Sequence, residues 1–462
     1  MCKAINYSID LEGIKETFKF TDKGLTHKQG GKYKLLPYVA NEKTLVSDFS
    51  GVIGSFSRII SDKKLNGDFE VESFLEEVSD QIGEYEGDNS RETFKDIIRS
   101  MFIDNNGLVD FDIRTINYIS STTSDDKIST FLYSILFDES IKEDVSKYYD
   151  REVENILYKL VIKALPELKD EKNKIGEYKC YLPFVKEQFV KDFKFIISKE
   201  DLYKDSLKRF LEYYYMFYVS QLVMKLDEFE NVDLTKPNKL YYTLDWERTS
   251  KTRTAYQFGW EKIKNSTASL FSHAVVLEML NHNEIEEQLG YKDLAELFKI
   301  ISEDTFTDQI EELIEAYKRQ LQDIKWENFR YVDKETEIKG FSSVHKLFNV
   351  VRYQFENSSS RSRANEAYRN WFVRFVQKNF AKRRGQLGYN LNITEDDIIL
   401  MTKICINNNE KLKLNDLFEE FELRGLFFDR DSKLKIIQLY EKLNLLEKKS
   451  DSGDAQYVKS VL

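Results

Sequence analysis

The sequence predicts a mainly α protein: a multi-helical body with a small mixed N-terminal part and a C-terminal winged helix-turn-helix domain. Two observations predict the helical body. Apolar residues recur at the helical period over long stretches, and proline, which breaks helix interiors, occurs only four times in 462 residues and never after Pro237. A third observation, the order of predicted elements in residues 391–462, predicts the C-terminal domain.

Breaks in the helical periodicity divide the chain into four predicted parts. The polar stretch around Pro237 marks the boundary between two helical domains. We expect the following segments: a mixed α/β N-terminal segment at 1–60, a helical domain at 61–230, a helical domain ending in a basic helix at 241–390, and the winged helix-turn-helix domain at 391–462.

The first 60 residues contain short apolar runs that favour strands, followed by one amphipathic helix. The predicted elements are strands at Tyr7–Leu11, Phe18–Phe20 and Tyr33–Leu36, a turn at Gly30-Gly31 and a helix at Phe49–Ile60. Gly51 and Gly54 fall inside that helix, where each glycine costs about 1 kcal/mol relative to alanine. They therefore indicate either close packing or a loop.

Helices are expected through most of the body. The periodic stretches are about 68–82, 153–164 (ended by Pro166), 266–285, 292–302 and 307–324, with polar breaks at 121–126, 227–240, 357–360 and 385–392. The most apolar run, Tyr213–Met224, is too short for a membrane span, which needs about 20 residues. It predicts a buried core helix.

The last 70 residues carry the strongest local signals. Thr394 precedes an acidic first turn and predicts a capped helix. The predicted elements that follow are a strand at 412–414, a helix capped by Asn415 or Asp416 and stopped by Gly425, a helix capped by Asp429 or Asp431 and stopped by Asn444, and a hairpin of 445–449 with 455–459 around a turn at 451–454. This order is typical of a winged helix-turn-helix.

Composition limits the cellular context. Three cysteines at wide spacings exclude a disulfide framework and a CxxC metal site. The N-terminus lacks the apolar stretch of a signal peptide, so we expect a cytoplasmic protein without a membrane partner. The net charge of −11 is uneven. Residues 341–390 carry ten Lys or Arg and only two acids.

This basic region predicts a surface that tracks phosphates, beside a winged helix that could contact DNA. The alternatives are a solvated helix face, and a winged helix that docks on protein because acids balance its lysines. The candidate nucleic-acid-binding residues are Arg361, Arg363, Arg369, Arg374, Lys378, Lys382, Arg383, Arg384, Lys433, Lys435, Lys442 and Lys448. The candidate partner is double-stranded DNA.

Arginine and aromatic residues alternate between Asp245 and Trp260, a composition typical of interface anchors. The candidate partner-interface residues are Trp246, Arg248, Arg253, Tyr256 and Trp260. The alternative is a helix that packs its tryptophan into the core.

No catalytic, cofactor or metal residue is predicted. Gly30-Gly31-Lys32 is the nearest approach to a phosphate-binding loop, but it lacks the upstream glycine and the following Ser or Thr. His273 and His282 are nine residues apart and face opposite sides of a helix. Asp110, Asp112 and the Glu337–Lys339 segment form a nuclease-like pattern only loosely, so a cryptic metal-dependent nuclease is a minor alternative.

The chain resembles the DptG subunit family of bacterial DNA phosphorothioation-dependent restriction systems. The segments that carry the resemblance are Lys34–Tyr38, Asp48–Phe56, Tyr241–Trp260, Leu270–His282 and Asp451–Leu462. The resemblance implies work with a DptF-like ATPase and a DptH-like helicase subunit to restrict DNA that lacks the host's phosphorothioate marks. It implies no catalytic residue. We therefore expect a non-catalytic subunit for assembly and DNA engagement; the alternative is an independent winged-helix transcriptional regulator.

Overall fold

The computed structural model is mainly helical, as the sequence predicts, with four small sheets among the residues it describes. The described residues are 7–22, 24–37, 46, 48–67, 69–104, 107–109, 111–172, 177–245, 247–301, 303–448 and 456–461.

The α-helices are, in chain order, α1 (Leu11–Thr17), α2 (Ser50–Ile60), α3 (Val71–Asp80), α4 (Ser90–Phe102), α5 (Thr123–Leu136), α6 (Glu139–Tyr149), α7 (Ile156–Ala164), α8 (Pro183–Ile197), α9 (Glu200–Leu226), α10 (Thr254–Gln257), α11 (Trp260–Thr267), α12 (Leu270–Leu280), α13 (Tyr291–Phe298), α14 (Glu303–Gln320), α15 (Phe341–Asn357), α16 (Ser362–Asn379), α17 (Glu395–Ile406), α18 (Leu414–Leu423) and α19 (Arg430–Lys442).

The strands are β1 (Lys63–Lys64), β2 (Ile103–Asp104), β3 (Gly107–Leu108), β4 (Lys169–Asp170), β5 (Thr243–Leu244), β6 (Ala381–Arg383), β7 (Tyr389–Ile393), β8 (Lys411–Lys413), β9 (Leu446–Lys448) and β10 (Gln456–Lys459). Two sheets have three strands each. In one, β7 lies between β6, antiparallel to it, and β5, parallel to it. In the other, β10 lies between β8 and β9, antiparallel to both.

The 27-residue helix α9 lies at the centre of the core. Every residue from Phe210 to Leu226 is buried, so the predicted core helix at Tyr213–Met224 is confirmed. A helix that is apolar on all sides must be surrounded by other elements. Here α2, α8, α11 and α12 pack around it. One continuous core contains residues from Tyr7 to Val458 and draws on all four predicted segments.

Three predicted strands in the first 60 residues are wrong. Among described residues 7–37, the structure has only an isolated bridge between Thr21 and Gly24. The Asp10 carboxylate instead accepts a hydrogen bond from the Gly13 amide and caps α1. The Tyr33 amide bonds to the Glu278 carboxylate rather than to a neighbouring strand. Local capping and a distant side chain thus satisfy the backbone groups that a sheet would have used.

The predicted helix at Phe49–Ile60 is confirmed as α2, with Phe49 as its N-cap. Its two glycines mark close packing against α5 and the segment before it. A Cβ atom built at Gly54 would lie 2.3 Å from the Ile119 carbonyl oxygen, and one at Gly51 would lie 2.3 Å from Asp125 Oδ2. The lost helix propensity of glycine is offset by this close approach.

Gly54→Ala is expected to lower the free energy of unfolding by about 1–3 kcal/mol, because the added methyl must displace backbone rather than a flexible side chain. Urea denaturation measures the change. Gly83→Ala is the control, since a Cβ atom there would have nothing within 4 Å. An unchanged denaturation midpoint for Gly54→Ala would contradict the close-packing role.

In the second half of the body, three predicted helices are found and one predicted break contains a strand instead. The predicted helices at 266–285, 292–302 and 307–324 correspond to α12, α13 and α14. The predicted break at 385–392, however, contains most of β7. Gly388 has a φ of +79°, a conformation that glycine adopts without a steric penalty, and it reverses the chain so that β7 pairs with β6.

The C-terminal elements follow the order α17, β8, α18, α19, β9, β10. Thr394 forms the predicted capping box with Asp397, Asp429 caps α19, and Asn444 has a φ of +55° just after α19 ends. One cap is wrong: α18 begins at Leu414 without any side-chain cap, so neither Asn415 nor Asp416 caps it. The predicted hairpin turn at 451–454 lies outside the described residues.

Candidate nucleic-acid interface

The cluster of cations after residue 360 lies on and around α16 and β6, and α16 buries an apolar face. Its buried residues are Tyr368, Trp371, Phe372, Phe375 and Val376. Trp371 and Phe375 contact the ring of Tyr215 on α9, with ring centroids 5.7 and 5.0 Å apart. An aromatic stripe at helical spacing therefore anchors α16 on the core, which leaves its opposite side for solvent.

We call the exposed cations of this region the basic face: Arg363, Arg374, Lys378 and Arg383. Arg369 is partly buried and lies about 120° around α16 from Arg363. Arg363 and Arg374 are separated by three helical turns and lie on the same side of α16. Within the described residues, the four arginines form no ion pair. Their charge is therefore available to a ligand in an otherwise acidic chain.

Three other predicted cations hold the ends of this region in place. Arg361 donates two hydrogen bonds to Asp323, at 2.9 and 2.8 Å. Lys382 lies 3.2 Å from Asp245 Oδ1. Arg384 donates to the Leu244 carbonyl oxygen at 2.9 Å. These side chains contribute to local structure and are separate from the basic face.

The C-terminal lysines differ from the arginines of the basic face because two of the four, Lys433 and Lys448, pair with acids. Lys433 lies 3.1 Å from Glu422 and above the Phe418 ring, and Lys448 lies 3.0 Å from Glu441. Lys435 contacts Gln438, and Lys442 is exposed. α16 packs on α12 and α15, whereas α19 packs on β5 and β9. The two predicted sets of cations thus lie on different elements.

The segment from Asp245 to Trp260 makes contacts inside the chain. Trp260 is only 4% exposed, and its ring lies 5.4 Å from that of Tyr389. The Tyr256 hydroxyl donates to the Leu387 carbonyl oxygen at 3.1 Å. Trp260 and Tyr256 therefore make contacts within the chain, which agrees with the alternative that this segment packs onto the core. Arg248 is exposed, and Trp246 lies outside the described residues.

Arg253 is part of a charge network with α19. Its guanidinium forms ion pairs with Glu247 and Asp429, with Glu247 at 2.5 Å. Burial alone would raise the pKa of Asp429, but the hydrogen bond from Arg253 lowers it below its usual value. The Ser432 hydroxyl donates to Glu247 at 2.9 Å. The N-terminal turn of α19 is thus bonded to the helical body.

A second network, which the sequence analysis missed, joins the C-terminal elements to the core. Arg424 donates to Asp192 at 2.7 and 2.6 Å, and both side chains are fully buried. Tyr214 also donates to Asp192, and Glu420 pairs with Arg424. Burial alone would lower the pKa of Arg424, but Cys405 and Asp192 raise it, so the guanidinium stays charged. Nothing in the sequence pairs residues 192 and 424.

The Gly30-Gly31-Lys32 loop binds an anion, but the anion belongs to this chain. The backbone amides of residues 30, 31, 32 and 33 donate to the fully buried Glu278 carboxylate at 2.8–3.1 Å. Successive amides that converge in this way form an anion-binding nest. Burial alone would raise the pKa of Glu278, but His282 and the amides lower it.

Glu278→Ala is expected to cost about 2–3 kcal/mol of stability, because four backbone amides lose a charged acceptor that is itself fully buried. Hydrogen–deuterium exchange of amides 30–33 should accelerate along with this loss. Glu278→Gln keeps one acceptor oxygen and is the matched control, with a smaller effect on both readouts. Unchanged exchange in Glu278→Ala would contradict the assignment.

Three histidines have partners inside the core. His273 contacts Tyr291 and Asp227, at 2.9 and 3.2 Å, and His345 lies 2.9 Å from Glu230. His27 contacts the Tyr317 hydroxyl at 2.5 Å. Burial, followed by the charge of Arg361, lowers the pKa of His27 to about 3.

Acidification from pH 7.5 to about pH 5 is expected to remove about 1–2 kcal/mol of stability through His27 alone. Its pKa is lower in the folded chain than in the unfolded chain, so the unfolded chain binds the proton first and gains stability as the pH falls below about 6.5. Urea denaturation at the two pH values tests this. His27→Phe removes the titrating group and should reduce the pH dependence by that amount; an identical dependence would contradict the prediction.

The nuclease-like carboxylates do not form a site among the described residues. Asp110 lies outside those residues. Asp112 caps a short 3₁₀ helix and pairs with Arg114, whereas Glu337 is exposed in an irregular segment. Across the described part of the chain, no three His, Cys, Asp or Glu side chains form a candidate metal site. Within the same residues, no helix has the length and apolarity that crossing a bilayer requires.

No protein-family model and no curated protein matches the chain.

Proposed function

We propose that this chain is a non-catalytic subunit of a DNA phosphorothioation-dependent restriction complex in the bacterial cytoplasm. It contributes assembly and DNA engagement against unmodified foreign DNA, while a DptF-like ATPase and a DptH-like helicase subunit supply the motor. The observation that carries the DNA role is the basic face, whose arginines form no ion pair with any described residue in a chain of net charge −11.

Charge placement supports DNA engagement more strongly than total charge does. Affinity for DNA comes largely from cations that neutralise phosphates and release counterions. A cation already paired with a carboxylate would have to break that pair first. Arg363, Arg374 and Arg383 have no such partner among the described residues, and the surrounding acids would oppose adventitious binding elsewhere on the surface.

The C-terminal elements support a winged helix-turn-helix domain as part of this proposal. Their order is helix, strand, helix, helix, strand, strand, with the first strand paired to the last. The acids beside Lys433 and Lys448, and the contacts of α19 with the body, favour protein docking over DNA contact for this domain. Its role in the proposal is assembly.

Reconstitution with the native partners tests the proposal. The chain should co-elute with the DptF-like and DptH-like subunits on size exclusion and should retain labelled duplex DNA. Arg363→Glu combined with Arg374→Glu should preserve the protein complex and lose the DNA. Failure of the chain to join either partner would overturn the assembly role, and DNA retention by the double variant would overturn the DNA role.

A further inference from the structure

The N-terminal turn of α19 is held against the body by buried polar contacts. Ser432 is fully buried, and its hydroxyl donates to Glu247 and to the Tyr242 carbonyl oxygen, at 2.9 and 3.3 Å. Asp429, the cap of α19, also accepts a hydrogen bond from the Ala255 amide at 3.3 Å. These contacts therefore involve the N-cap and the first turn of α19.

The same body segment continues along the flank of α19. Residues before α19 pair with it: the Tyr242 amide donates to the Phe427 carbonyl oxygen at 3.0 Å. Beyond this pairing, Tyr241, Thr254, Arg430 and Leu434 line an open groove of about 480 Å³. The residues that begin α19 are therefore held against the body on one side.

This arrangement disfavours reading of bases by α19. A DNA-reading helix of a helix-turn-helix inserts its N-terminal residues into the major groove. That groove is about 12 Å wide, and a helix with its side chains is about 10–12 Å across. A polypeptide segment bonded to the first turn of α19 leaves little room for a phosphate backbone on that side. The exposed charges of α19 also balance, with Arg430 and Lys442 offset by Asp431 and Glu441.

We propose that the chain binds duplex DNA through its phosphates alone, without reading base sequence, and that α19 is an internal docking helix. The inference rests on the DNA engagement proposed above and names its substrate class. The binding groups are Arg363, Arg374 and Arg383 of the basic face. Arginines that project from a helix and from an adjoining short strand can contact phosphates of any sequence.

Fluorescence anisotropy with two 30-base-pair duplexes of unrelated sequence tests the inference, together with selection from a random duplex library. The two affinities should agree within twofold, and the selection should enrich no motif. Arg363→Glu with Arg374→Glu should weaken both duplexes by at least about 50-fold at about 0.1 M salt. The control, Lys435→Glu with Lys442→Glu, changes the net charge by the same amount as the arginine double variant. Its affinity for each duplex should stay within twofold of that of the unmodified chain.

Other results would overturn the inference in distinguishable ways. An enriched motif would show that the chain reads bases, and a loss of affinity in the α19 variant would place α19 in contact with DNA; either result overturns the inference and leaves DNA engagement intact. Absence of binding to either duplex at about 50 mM salt, where phosphate contacts are strongest, would reject the proposed DNA role together with this inference. Circular dichroism of both double variants confirms that the comparison is between folded proteins.

Discussion

Replacing Asp192 with alanine is expected to lower the free energy of unfolding by about 3–5 kcal/mol. Arg424 is fully buried, and two of its nitrogens donate to Asp192. Removal of the carboxylate leaves a buried guanidinium whose one remaining ion-pair partner in the described part of the chain is Glu420, and breaking such a buried pair is strongly destabilising. The urea midpoint measures the loss.

Two further variants separate the charge effect from packing. Glu420→Ala removes a partner that is 25% exposed, so water can replace it, and a loss of roughly 1 kcal/mol is expected. Asp192→Leu combined with Arg424→Met replaces the whole pair by apolar side chains and should recover most of the stability. If Asp192→Ala cost no more than Glu420→Ala, the buried pair would not be what joins α18 to the core.

Neutralising Arg363, Arg374 and Arg383 to alanine together is expected to weaken duplex binding by 10² to 10³-fold, on the order of eightfold per contact at about 0.1 M salt. Each phosphate contact adds about 0.9 to the slope of log affinity against log salt. The slope should therefore fall by nearly three in the triple variant. Anisotropy titrations at four salt concentrations give both quantities.

The matched control removes the same charge from other surfaces. Lys64, Lys236 and Lys299 are exposed, and each pairs with a neighbouring acid. Their triple alanine variant has the same net charge, so only the position of the cations differs. Equal losses in the two triple variants would mean that net charge alone governs affinity, and the basic face would then have no special role.

The sequence correctly predicted the helix caps and stops, because each depends on residues that are close together in the chain. The capping box at Thr394, the cap at Asp429 and the left-handed stop at Asn444 each depend on neighbours within four residues. The aromatic stripe of α16 likewise depends only on the helical period. These features survive folding because the tertiary structure reinforces the local preference.

The missed features depend on residues far apart in the chain. The donors to Glu278 precede it by 245–248 residues, and Arg424 follows Asp192 by 232 residues. No periodicity or spacing rule connects such positions. The predicted N-terminal strands failed for a related reason: short segments of three to five residues fit a strand and a buried loop equally well. At Tyr33 the distant carboxylate of Glu278 takes the backbone amide that a strand would have used.

The nest around Glu278 also determines when the N-terminal segment can fold during synthesis. Bacterial and other ribosomes add about 5–20 residues per second, so roughly 12–50 s pass between emergence of residues 30–33 and emergence of their acceptor. During that interval the loop's amides can bond only to water or to chaperones. The N-terminal segment therefore cannot reach its native conformation until the middle of the chain has left the exit tunnel, and its folding is coupled to translation speed downstream.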